Sequence, residues 1–108
     1  MTRLFLAASL LIGASPAFAL SGAELQQQDR SFAMGYVQGQ IEFWLSTWDD
    51  DAEARARKAR QTTCINNGQI APGTFLDTVV AYMSRNPKRL SEPAVAAVLQ
   101  TLGEICGE

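Results

Sequence analysis

Pro72-Gly-Thr-Phe-Leu-Asp-Thr-Val-Val-Ala-Tyr-Met-Ser-Arg-Asn-Pro87 is the stretch on which the fold turns. Phe75, Leu76, Val79, Val80 and Met83 recur at three- and four-residue intervals, the spacing of one apolar helix face. Pro72 or Thr74 marks the start, because proline tolerates the first helical turn. Asn86 marks the end, because a residue before proline avoids the helical region. An amphipathic helix with both ends specified needs partners for its apolar face, so the flanking sequence must supply them.

Downstream, Ser91 reads as the cap of a further helix, with Glu92 and Pro93 in its first turn. Val95, Val98, Leu99, Leu102 and Ile105 form its expected buried stripe; Gly103 weakens its last turn, and Cys106 lies at its end. Upstream, Ser21 and Glu24 form a capping box, and no proline interrupts the chain from there to Trp48. One long helix is predicted. Phe32, Tyr36 and Phe43 share a side of it with Gly35 and Gly39, beside a stripe of Ala33, Val37, Ile41, Trp44 and Trp48. Apolar cover over nearly half the circumference predicts that this helix is central and wrapped by the others. Between the two halves, Asp49-Asp50-Asp51 opens a charged stretch that ends near Arg60. Acid at its start and base at its end suit a short solvated helix, and Asn66-Asn67-Gly68 signals a turn. No segment alternates with period two. The expected fold is all-α, a small bundle of three to four helices.

Residues 1–19 read differently. Arg3 precedes an apolar run from Leu4 to Gly13 that is too short to span a bilayer, and Pro16 breaks it. Ala17-Phe18-Ala19 then places small residues where a signal peptidase reads, so cleavage after Ala19 is expected, followed by one domain over residues 20–108. This implies export to the periplasm. No cysteine stands near the cut, which leaves a lipid anchor without support, and no later run suits a membrane helix.

The sequence of 108 residues has eleven acidic and nine basic side chains, Arg3 among the nine, and no histidine. A mildly acidic product disfavours nucleic acid or an anionic membrane as partner. So small a domain commonly recruits a staple. Cys64 and Cys106 are the two cysteines, and export would carry both to where thiols oxidise. A disulfide between them closes a loop of about 43 residues, worth on the order of 4 kcal/mol in the chain-entropy model. Two thiolates without histidine do not fill a zinc site, and the acidic triplet lacks the spacing and glycine of a calcium loop.

Catalytic groups are sparse. Histidine-dependent triads and bases are excluded, the cysteines do not form a redox pair, and the serines occupy caps and turns. No enzyme, cofactor or metal is expected. Gly35-Tyr36-Val37-Gln38-Gly39 is the most unusual local feature, because two helical glycines cost roughly 1 kcal/mol each relative to alanine. Packing of another helix of the chain against Gly35, Tyr36 and Gly39 is the favoured explanation; a homodimer or partner surface is the alternative. Trp44 reads as core. Trp48 reads as an exposed anchor of the kind interfaces use, and with Asp49, Asp50, Asp51 and Arg55 it forms the predicted partner contact, although an ordinary solvated segment has the same composition.

The order of these pieces resembles the Rap/Tai immunity proteins of bacterial type VI secretion systems. The similar run is Gly35-Tyr36-Val37-Gln38-Gly39, then Cys64-Ile65, Gly68 and Ile70. Phe75-Leu76, Val79-Val80, Tyr82-Met83 and Asn86-Pro87 follow, with Ala94, Val98, Leu102 and Cys106 last. The resemblance implies a periplasmic all-helical protein, often dimeric, that binds and blocks a peptidoglycan-cleaving amidase effector without chemistry of its own. There are three departures from the family pattern: Ala33 and Met34 stand near the Gly-Tyr-x-x-Gly motif where many members carry additional cysteines, Asn66 stands for a proline, and Asn86 for a histidine. A small acid-stress chaperone of the periplasm, or a family member turned to another envelope partner, is the alternative reading of the same composition.

Overall fold

The computed structural model describes residues 20–107; the expected signal peptide lies outside them. Among these residues five α-helices follow one another: α1 (Gly22–Gln27), α2 (Arg30–Ser46), α3 (Ala52–Gly68), α4 (Pro72–Arg85) and α5 (Ala94–Cys106), with a 3-10 turn at Pro87–Ser91 before α5. No strand occurs among the described residues, and a single isolated bridge joins Ser21 to Pro93. The fold is all-α and closed by one disulfide.

Local signals set several boundaries as expected. Ser21 Oγ accepts from the Glu24 amide while Glu24 accepts from the Ser21 amide, a complete capping box. Pro72 occupies the first turn of α4, which ends at Arg85 before Asn86-Pro87. Phe75, Leu76, Val79, Tyr82 and Met83 are buried.

Other expectations are corrected. The single helix from Ser21 to Trp48 is broken, since Gln28 is extended and α2 begins afresh after Asp29. The break lets α1 lie across the start of α5: the Gly22 amide donates to Glu92 O at 3.0 Å, and the Ala94 amide donates to Leu20 O at 2.7 Å. Gly22 is required in that seam, because a Cβ there would lie 2.6 Å from Arg89 O and 2.7 Å from Met83 Sδ. Ser91 does not cap α5; its hydroxyl donates to Lys88 O inside the 3-10 turn, and Pro93 precedes the first helical residue. The charged helix is not short. α3 continues through Asn66-Asn67-Gly68, and the reversal falls at Gln69, whose φ of 49° is left-handed.

The central helix is α5, which packs against α1, α2, α3, α4 and the 3-10 turn. Ala94, Ala97, Val98 and Leu102 have no exposed surface, and Thr101 is buried with its hydroxyl donating to Ala97 O. Small side chains at Ala94, Ala97 and Thr101 allow neighbouring helices to approach closely. Val95 and Leu99 are half-buried and Ile105 is exposed, so the expected stripe is rotated toward the small residues. α2 contributes Ala33, Val37 and Ile41 to the core. Cys64 of α3 bonds Cys106 at the end of α5, with Cα atoms 5.7 Å apart.

Candidate functional site

The chain between α2 and α3 is a short connection, Thr47 to Asp51, and it is held from below by α3. Arg55, Lys58 and Gln61 recur every three residues and face back toward the end of α2. Lys58 is buried; its Nζ donates to Thr47 O at 2.9 Å and sits 4.1 Å from the centre of the Trp44 ring. An ammonium group is costly to bury without compensation. Here the aromatic face and a carbonyl at the negative end of α2 compensate it. Gln61, also buried, accepts from Trp44 Nε1 at 3.1 Å.

Arg55 fastens the outer part of the turn. One guanidinium nitrogen donates to both Asp49 O and Asp50 O, each at 2.8 Å, and the group lies 4.7 Å from the centre of the Trp48 ring. Trp48 Nε1 donates to Asp50 Oδ1 at 3.2 Å. Asp51 caps α3 by accepting from the Ala54 amide, and Asp49 accepts from the Asp51 amide. Trp48 nevertheless remains 74% exposed. A large aromatic is thus held by neighbours on a fastened turn without being buried.

Trp48, Asp49, Asp50, Asp51 and Arg55, the predicted contact group, therefore share one small surface. Sequence reasoning missed Lys58, Gln61 and Trp44 as its foundation. The signal was present in the three-residue spacing from Arg55, but a charged segment read only as solvated hides a buried lysine. Beside the turn, an apolar cleft of about 510 Å³ opens between α2 and the start of α4, lined by Met34, Val37, Ile41, Leu45, Ile65 and Phe75.

Gly35, Tyr36 and Gly39 lie elsewhere on α2, and the expected packing of a helix against the glycines is not found. Both glycines are exposed, and a Cβ on either would meet nothing within 4 Å. α2 turns its Ala33–Val37–Ile41 side inward instead. Tyr36 is half-buried and stacked on Phe32 with ring centres 6.5 Å apart, and burial pushes its phenol pKa up. Among the described residues, no group of three or more His, Cys, Asp or Glu side chains is placed to hold a metal. The perturbed groups are structural: Arg30 hydrogen-bonds to Asp77 and, with its charge, holds that carboxyl below the usual aspartate range. Arg89 bonds Glu92 and the Tyr82 hydroxyl.

A disulfide-closed helical domain that presents a braced aromatic on an acidic turn has the make-up of a binding protein. Compared with known protein families, the chain matches the Rap1a immunity proteins over residues 13–104. It belongs to that family, whose role implies a protein effector as partner. Neither the curated proteins nor the solved structures contain a match. No helix among the described residues is long and apolar enough to cross a membrane.

Proposed function

We propose that this protein is exported to the periplasm, loses residues 1–19, and there neutralises a type VI secreted peptidoglycan amidase by binding it. Membership of the Rap1a immunity family over residues 13–104 carries this reading. In this reading the protein contributes surface and no catalytic step. Trp48 enters an apolar recess of the effector, while Asp49, Asp50 and Asp51 face basic groups at its rim, an arrangement that favours fast and selective association. The match to immunity proteins favours this role over that of an acid-stress chaperone.

Co-purification with the product of a neighbouring amidase gene, combined with a peptidoglycan-hydrolysis assay, tests the proposal. Stoichiometric complex formation and loss of hydrolysis are expected. A folded, oxidised sample that neither binds nor inhibits would refute it. Amino-terminal sequencing of the exported product should begin at Leu20.

A further inference from the structure

We infer that the cleft between α2, α3 and α4 and the recess beside Trp48 form one trough, which receives a segment of the effector carrying large apolar side chains flanked by lysine or arginine. This rests on the immunity reading above and names the chemistry that the effector brings to it. The cleft of about 510 Å³ has a buried floor of Val37, Ile41 and Phe75 and half-buried walls that include Met34, Ile65 and Ile70. A second recess of about 300 Å³ lies beside Trp48. Leu45, Ser46 and Thr62 line both, so the two hollows run together. From Met34 to Leu45 the trough follows α2 for about 16 Å, or about three helical turns.

The α3 bank is built of short side chains, Thr62 and Asn66 beside Ile65, which leaves the cleft open. Apolar walls standing half in water around a buried floor gain when an apolar group covers them. A concavity of this size, mostly apolar with a few polar groups at its edge, has the make-up of a binding site.

Charge decides what kind of segment fits. Among the described residues, Glu42 is the only ionisable group lining the cleft; it stands exposed at the rim, and Gln38 Nε2 donates to its Oε1 at 3.3 Å. Asp49 lines the recess at the Trp48 end, with Asp50 and Asp51 next to it. The nearby cations are engaged inward. Arg55 donates to Asp49 O and Asp50 O, Lys58 donates to Thr47 O, and Arg30, one turn before Met34, pairs with Asp77. Arg57 and Arg60 lie more than about 120° round α3 from the Ala59–Thr62–Asn66 line. The rim therefore presents carboxylates, while its cations are engaged or turned away. An acidic segment is repelled by such a rim, whereas a basic one is drawn to it and held. The apolar floor then takes the large side chains between the basic ones, as a groove takes the anchors of an amphipathic segment.

Titration calorimetry and photo-crosslinking on the oxidised, exported protein with the neighbouring amidase product test this. Thr62→Trp fills the junction of the two hollows from an exposed position on α3. It should melt close to wild type and weaken amidase binding at least about 30-fold. Glu42→Arg, also exposed, should weaken binding about 10-fold or more and flatten the loss of affinity with added salt. Lys88→Glu, on the 3-10 turn outside the trough, should bind as wild type does. A photo-crosslinking residue at Asn66 should attach to an amidase segment with lysine or arginine beside large apolar residues. Wild-type binding that Thr62→Trp and Glu42→Arg both match, or a crosslink to an acidic segment, would overturn the inference and leave the immunity role standing. A wild-type protein that does not bind the amidase would overturn both.

Discussion

Removing the Cys64–Cys106 bond tests how this domain stays folded. The bond joins residues 42 apart in sequence, and in the chain-entropy model that loop restricts the unfolded chain by about 4 kcal/mol. A domain of this length is worth roughly 4–13 kcal/mol in all, so the bond supplies a large share. The structure also indicates where the loss falls first. α3 packs only on α2 and α5 to any extent, and its buried side chains are Lys58 and Gln61, both polar. It therefore has little apolar attachment of its own. The double variant Cys64→Ala/Cys106→Ala keeps helix-compatible residues at both sites and removes only the link. Urea unfolding followed by circular dichroism should show stability lower by about 4 kcal/mol, with a steeper denaturant dependence as the unfolded chain expands. Amide exchange should show α3 losing protection ahead of α4 and α5. A change under about 1 kcal/mol, with α3 still as protected as α5, would mean that packing alone holds the helix and that the loop argument fails.

Three further perturbations probe other links. Trp48→Ala should weaken effector binding by about 2 kcal/mol or more, measured by titration calorimetry, while stability moves by no more than about 0.5 kcal/mol. Gly22→Ala should destabilise by about 1–3 kcal/mol in thermal melts, because the added methyl meets Arg89 O and Met83 Sδ at under 3 Å. Asp77 is held below its ordinary pKa by hydrogen bonds and charge from Arg30, so its stabilisation is full above the ordinary aspartate value and fades as pH falls through the lowered one. Melts of Asp77→Asn should accordingly differ from wild type at neutral pH and converge with it in strong acid.

What the sequence revealed and what it concealed follow from how local each determinant is. Ser21, Pro72 and Asn86-Pro87 act on their own neighbours, and each boundary they mark was readable. The face of α4 was readable too, because bulky side chains at helical spacing announce themselves. The break at Gln28-Asp29 was not, since nothing in Gln26-Gln27-Gln28-Asp29 forbids a helix. It arises from the pairing of Leu20 and Gly22 with residues over sixty positions away. The central place of α5 was hidden for a related reason: attention goes to large residues, while Ala94, Ala97 and Thr101 earn the centre by being small. The residues proposed as a contact group around Trp48 were picked out by composition, but the buried Lys58 beneath them was not, because polarity alone would leave it in water. Gly35 and Gly39 stand out in the sequence, but no helix of the chain packs on them, and the spacing alone does not say which side of α2 faces the core.

The seam between Leu20–Gly22 and Glu92–Ala94 has a consequence for the order of events during synthesis. A polypeptide emerges from the ribosome, or from a membrane channel, with its amino end first. Residues 20–22 must therefore wait for the segment beyond residue 92 before their hydrogen bonds can close, and Cys64 must wait for Cys106. Of the described helices, the one at the middle of the structure is the last to appear. Until it does, α2 and α4 can already meet each other, but α1 and α3 lack α5, against which both pack. Placing α5 at the centre thus defers both the full core and the covalent lock until residues 94–106 have been made.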